Sequence, residues 1–256
     1  LTHPSSRKEI TVDKKKSLVV IAAHTGDYVW RCAGAIALHA ELGWRVSVIC
    51  LSYGERGEAA KLYAEPGMTQ PRAREMRKLE AEKAATVLGT DIHFFDGDDY
   101  CLHTDEAMLD RAVAILRDLQ ADVILTHTRD DPGNMDHEVT ARFALEARMS
   151  SQAVGRSGGT AIGAPHLHGM TIGAPQVYSF EPHQSELCGF KPDTLLDITS
   201  VWEKKWEAIQ CMPSQPLMWD YYRNMAMQRG AVARGRPKYA EAFQRLFPST
   251  VSELPT

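Results

Sequence analysis

The apolar positions change period along the chain, and each change marks an element. Leu18 to Ala23 is an unbroken apolar run rich in β-branched residues, the pattern of a strand buried on both faces. From Val29 onward, Val29, Ala33, Ile36, Ala37 and Ala40 recur at helical spacing, which predicts a helix over 29–42 that ends at Gly43. Residues 45–51 read as a second strand, and 71–88 as a helix with Met76, Leu79, Lys83 and Val87 down one side, closed by Gly89. A third strand is predicted over 91–96, and Leu109, Ala112, Val113, Leu116 and Leu119 mark the next helix. A fourth strand follows at 122–128, then a helix from His137 to Ala153. Strands alternating with helices imply an α/β chain with a Rossmann-like, doubly wound, mainly parallel sheet.

Beyond residue 153 the pattern loosens into a C-terminal region read as mostly helical. "PQVYSFEPHQ" predicts a strand leading to a loop, 200–212 and 217–231 predict helices, and a basic loop at 234–238 precedes a last short helix. Ile-Gly-Ala-Pro occurs at 162–165 and again at 172–175, a local duplication too short to be an architectural repeat. The duplication encloses His166 and His168, whose spacing could serve a metal on a strand. In a glycine-rich loop they read as ordinary loop residues. Residues 1–16 are polar and charged and are expected to form a flexible leader, with 17–256 a single α/β domain.

Composition narrows the function classes. With 256 residues and 44% hydrophobic content the chain can bury one sizeable core. A net charge of −4 gives no reason to expect nucleic acid or a membrane surface as partner. No apolar run approaches the roughly 18 residues that span a bilayer. The five cysteines are scattered, with no Cys-x-x-Cys pair, which suits a reduced cytoplasmic setting. No Gly-x-Gly-x-x-Gly follows the first strand, so a dinucleotide site is not expected.

Three polar clusters follow predicted strands: "HTGD", "SYGERGE" and "THTRDDPGNMDHE". A parallel sheet gathers the carboxyl ends of its strands at one edge, where such sheets bind ligands. Two imidazoles and one carboxylate form a known catalytic zinc set that leaves positions open for water or substrate. His24, Asp27 and His137 supply that set here. Asp27 has an ordinary reading too, as a helix cap.

These residues carry a family resemblance. "AHTGD" resembles the Ala-His-Pro-Asp-Asp signature of the LmbE/PIG-L-like zinc deacetylases, "NMDH" their later His-Pro-Asp-His, and "SYGERGE" their glycine-acid turn. The resemblance implies metal on His24, Asp27 and His137. It also exposes two departures. Gly26 stands where the family has the aspartate that acts as general base, and Asn134 stands where it has a histidine. Longer stretches, among them "CLSYGERGEAAKL", "FEPHQSELCGFKPDTLLDITSVWEKKWEAIQCM" and "MWDYY", resemble the 4-oxalomesaconate hydratase branch, which also lacks that base.

The resemblance implies a metal-dependent hydro-lyase, using Zn²⁺ or another divalent ion, that adds water to a carbon–carbon double bond of a small polycarboxylate. A zinc-dependent N-deacetylase and a non-catalytic metal-binding protein are the alternatives. A base must come from outside position 26, and Glu55 and Glu58 are both candidates. His183 in "EPHQ" is expected to donate the proton to carbon. Arg31, Arg56 and Lys61 are expected to seat carboxylates, and Asp98 and Asp99 to orient ligands. A homo-oligomer is expected, and the basic 229–238 segment reads either as a solvated face or as a contributor to a site across a subunit interface.

Overall fold

The computed structural model describes residues 15–156, 171–248 and 250. His166 and His168 lie outside the described residues, as does most of the expected leader. Seven strands form one sheet: β1 (Ser17–Ala22), β2 (Arg45–Cys50), β3 (Asp91–Phe94), β4 (Val123–Thr126), β5 (Gln176–Phe180), β6 (Thr194–Asp197) and β7 (Ala240–Arg245), in the spatial order β3-β2-β1-β4-β5-β7-β6. The first five are parallel, and β7 runs antiparallel to both β5 and β6. The helices are α1 (Asp27–Glu41), α2 (Ala60–Tyr63), α3 (Gln70–Leu88), α4 (Glu106–Leu119), α5 (Met135–Gln152), α6 (Trp202–Gln210) and α7 (Leu217–Val232). No helix among the described residues is long and apolar enough to cross a membrane.

Alternation along β1 explains why its whole run is apolar. Leu18, Val20 and Ala22 pack into a core with α1, α3, α6 and α7, while Val19 and Ile21 pack into a second core with α4 and α5. Both faces of β1 are therefore buried. Each fully buried large aliphatic side chain contributes about 1.5–3 kcal/mol. The helices start where local chemistry permits. Asp105 accepts from Met108 N–H at 2.7 Å to cap α4, and Asn134 accepts from Asp136 N–H at 3.1 Å to cap α5. Gly89 ends α3 with φ of 71°, a left-handed cap for which glycine is best suited.

Two expectations are corrected. The stripe of Met76, Leu79, Lys83 and Val87 is not the buried face of α3; Leu79 is 45% exposed. That face is built from Ala73, Ala81, Ala84, Ala85 and Leu88, with Arg77 and Glu80 buried as an ion pair at 3.0 Å. Small residues let α3 approach α1 and α6 closely, so large apolar positions were the wrong guide. The last short helix is instead strand β7, whose Ala240, Ala242 and Phe243 are buried. The C-terminal region thus completes the sheet with two strands beyond β5, rather than forming a loose helical appendage.

One irregularity prepares the site. Helix α1 kinks at Cys32 (φ −144°, ψ 18°). Glu241 on β7 accepts from the freed Gly34 and Ala35 N–H groups at 2.7 and 2.8 Å. Lys205 on α6 donates to Trp30 O at 3.0 Å and pairs with Glu241 at 2.6 Å. These contacts pair backbone groups that the kink frees, and the kink gives the start of α1 its own direction.

Candidate metal centre and active site

Strand order reverses between β1 and β4, and the polar clusters meet beyond the carboxyl ends of these two strands. His24 follows β1, Asp27 opens α1, His127 follows β4, and His137 lies in the first turn of α5. All four are buried. Asp27 Oδ2 accepts from His24 N–H at 2.8 Å, which locks the loop between β1 and α1.

His24, Asp27 and His137, expected as metal ligands, converge. His24 Nδ1 lies 3.3 Å from Asp27 Oδ2, and His137 Nε2 lies 3.5 Å from Asp27 Oδ1. Neither of these two ring nitrogens makes a hydrogen bond, although both are buried. The opposite nitrogens are both held. His24 Nε2 faces Asp99 at 3.1 Å and Asp136 at 3.2 Å, and His137 Nδ1 meets Asp131 at 2.8 Å. Ligating histidines are normally oriented in this way by a carboxylate on the far nitrogen. Glu58 Oε1 also lies 3.3 Å from His24 Nδ1, so these four residues form one donor cluster.

The electrostatics call for a cation. Burial opposes a charged His24, but the Glu58 charge and the facing carboxylates of Asp136, Asp27 and Asp99 outweigh it and raise its pKa well above the usual value. Burial would raise Asp27, yet the facing His127 and His137 rings and the Arg31 guanidinium hold it well below the usual carboxylate range. Orphaned nitrogens and several carboxylates around one imidazole fit a divalent ion.

His127 was not singled out from sequence. Its Nε2 accepts from Ala23 N–H at 3.1 Å and lies 3.4 Å from Asp27 Oδ2, and its ring stacks on His137 at 4.1 Å. Burial first, and then the His137 charge, lower its pKa to about 3, so it is a neutral wall of the site. Its place one residue after a strand paired with β1 was the available signal. Asp131 and Asp136 also stood unremarked in that polar run.

A cavity of about 200 Å³ opens on this cluster, lined by residues that include Asp27, Trp30, Arg31, Glu58, His137 and His183. Glu58 and Glu55, alternatives in the sequence, are separated here. Glu58 lines the cavity and pairs with Arg77 at 3.3 Å. Glu55 is fully buried, does not line the cavity, and faces Arg74 at 3.5 Å. His183 lines the cavity beside Tyr221, whose hydroxyl donates to the His183 carbonyl. Burial and then the Arg31 charge lower the His183 pKa.

Of the three cations expected to seat carboxylates, Arg31 alone lines the cavity, with Nε 3.2 Å from Asp27. Arg56 is turned to Asp98 at 3.0 Å, and its backbone N–H donates to Asp99 at 2.5 Å. Lys61 donates to Pro213 O at 3.2 Å on the exposed side. Asp99 faces the far nitrogen of His24, whereas Asp98 is exposed and pairs with Arg56. Asn134 lines the cavity and caps α5. None of residues 229–238 lines it; Arg229 pairs with Glu181 at 2.9 Å.

The fold has known relatives. The PIG-L family, described as GlcNAc-PI de-N-acetylase, matches residues 19–148. A 4-oxalmesaconate hydratase from Pseudomonas putida is 43% identical over 261 residues, covering 98% of each chain. The crystal structure of GalB, the 4-carboxy-2-hydroxymuconate hydratase from the same organism, has a TM-score of 0.87 at 44% identity, covering 94% of this chain and 100% of that one. N,N'-diacetylchitobiose deacetylase from Pyrococcus horikoshii, at 23% identity, shares the fold with a TM-score of 0.72, covering 91% of this chain and 84% of that one. The chain belongs to the PIG-L family.

Proposed function

We propose that the protein is a metal-dependent hydratase that adds water to the carbon–carbon double bond of 4-oxalomesaconate, giving 4-carboxy-4-hydroxy-2-oxoadipate in gallate or protocatechuate breakdown. Identity of 43% over 98% of both chains to a named hydratase supports the reaction class. The observation that carries the mechanism is the placement of Glu58 and His183 on one cavity with Asp27 and His137, members of the donor cluster that His24 completes. Zinc suits that donor set, held by His24, Asp27 and His137; when bound it supplies Lewis-acid stabilisation of charge developing on the substrate.

The chain's own residues do the rest. Glu58 is the base that takes a proton from the attacking water, and Arg77 fixes its carboxylate from behind. His183 gives a proton to the adjacent carbon. Arg31, buried against the cavity and always charged, receives a substrate carboxylate. The trianionic substrate counters the Arg31 charge that disfavours protonated His183, so binding itself readies the acid.

Amide hydrolysis by the deacetylase route needs a carboxylate at position 26. A Cβ there would lie 2.5 Å from Trp30 Nε1, so the space is closed to one. The test is an ultraviolet assay of the zinc-loaded protein with 4-oxalomesaconate, whose conjugation is lost on hydration. Absence of any absorbance change, with acetate released from an N-acetylated sugar instead, overturns the reading.

A further inference from the structure

His183 is carried by a loop. Residues 181–193, between β5 and β6, form neither helix nor strand, and a side chain on such a segment is less precisely placed than one on a rigid element. A group that must hand a proton to one carbon tolerates little freedom, because a displacement of about 1 Å can cost about 10²-fold in rate. The contacts that fix His183 lie behind the loop.

Glu181, the first residue after β5, is buried, and its N–H donates to Ala242 O on β7 at 3.2 Å. Its carboxylate accepts from Ser185 Oγ at 2.7 Å, which ties together the two ends of the turn that holds His183. Arg229 on α7 grips the same carboxylate in a two-point fork, with Nε 2.9 Å from Oε2 and Nη2 on Oε1. Tyr221, about two turns earlier on α7, touches His183 itself. Its hydroxyl donates to the His183 carbonyl, and its ring lies against the imidazole with centroids 4.2 Å apart. Burial and then the Glu181 charge raise the Tyr221 pKa, so this donor keeps its proton. Helix α7 is a firm base, with Tyr222, Ala226 and Gly230 buried along it. Neither Tyr221 nor Arg229 lines the cavity.

Resting on the hydratase reading, the geometry points to Tyr221 and Arg229 as positioning residues for the proton donor. Helix α7 clamps the 181–185 turn at two points, Arg229 through the Glu181 carboxylate and Tyr221 through the carbonyl and ring of His183. The clamp engages backbone and ring face and so aims the imidazole into the cavity without occupying its nitrogens. Arg229, the first residue of the basic 229–238 stretch, thus acts on the site of its own chain from behind the loop.

Tyr221→Phe keeps the ring and deletes the hydroxyl, and Arg229→Lys keeps the charge and deletes the fork. Each is expected to lower kcat about 10-fold, with KM within about twofold and zinc content unchanged. In a His183→Ala background the same substitutions should alter the residual rate by less than about twofold, because no imidazole is left to aim. The full loss repeated in that background shows a general structural role and overturns the proposal. So does a raised KM at constant kcat, or wild-type kinetics in both single variants. A second readout needs no turnover. The ring proton resonances of His183, identified by their loss in His183→Ala, sense the aromatic ring at position 221, which both variants keep. Their shift in each variant reports a displaced imidazole, and resonances left at the wild-type positions in both overturn the clamp. If one variant does not fold, the other decides by both readouts. If wild type hydrates nothing, the functional reading fails, and the resonances alone judge the clamp.

Discussion

Glu58→Gln replaces the proposed base by a side chain of equal size that cannot take a proton. Little else should change. Arg77 keeps Glu80 at 3.0 Å, Ser214 at 2.6 Å and the Tyr53 carbonyl at 3.3 Å, so its charge stays compensated and α3 stays docked. A general base contributes roughly 10²- to 10⁴-fold, so kcat should fall by that factor, about 3–5 kcal/mol in barrier height. Glu55→Gln touches a carboxylate outside the cavity, beside an Arg74 that also donates to the Asp96 and Gly97 carbonyls. It should lose less than about tenfold, within the range of a structural perturbation. The assay is initial rate from ultraviolet absorbance at saturating substrate, with elemental analysis of zinc on the same samples. A Glu58→Gln enzyme within about threefold of wild type refutes the assignment. So does a Glu58→Gln protein that has lost its zinc, because Glu58 would then be a ligand rather than the base.

Other predictions address the surroundings of that base. His24→Ala and His137→Ala should each bring zinc below one per chain and abolish turnover while the circular dichroism stays native; full occupancy in both sinks the site. Asp131→Asn, which weakens the 2.8 Å contact that orients His137, should lower zinc affinity roughly 10- to 100-fold by chelator competition, and an unchanged affinity removes the orienting role. The His183 pKa is lowered by burial and then by the Arg31 charge, and an acid works in its protonated form. The rate constant kcat/KM should therefore fall as pH rises through a value below the usual histidine pKa of about 6.5. Substrate carboxylates raise that pKa in the complex, so the corresponding limb of kcat should lie at higher pH; coincident limbs contradict the assignment.

The sequence made β1 and the first turn of α1 legible because one short apolar run ends in a histidine with an aspartate three residues later. His137 was legible through its place at a helix start after the fourth strand. What could not be read were choices that depend on which way a turn faces. Glu55 and Glu58 share one loop, but Arg77 draws Glu58 to the cavity side, and Arg77 itself was hidden in a helix face made of alanines. Arg56 and Lys61 carried the right charge on the wrong side of that loop. Gly26 was legible as a missing base, yet the reason no base fits there rests on Trp30, one helical turn on, and on Gln215, which is distant in sequence.

Hydration is tested most directly by the fate of the water oxygen. Zinc-loaded protein is mixed with 4-oxalomesaconate in heavy-oxygen water, and the product is analysed by mass spectrometry before its carbonyl groups exchange. The expected product is 4-carboxy-4-hydroxy-2-oxoadipate carrying one heavy oxygen on its new hydroxyl, formed at the rate at which the ultraviolet absorbance is lost. Recovery of unhydrated substrate with the absorbance intact contradicts it.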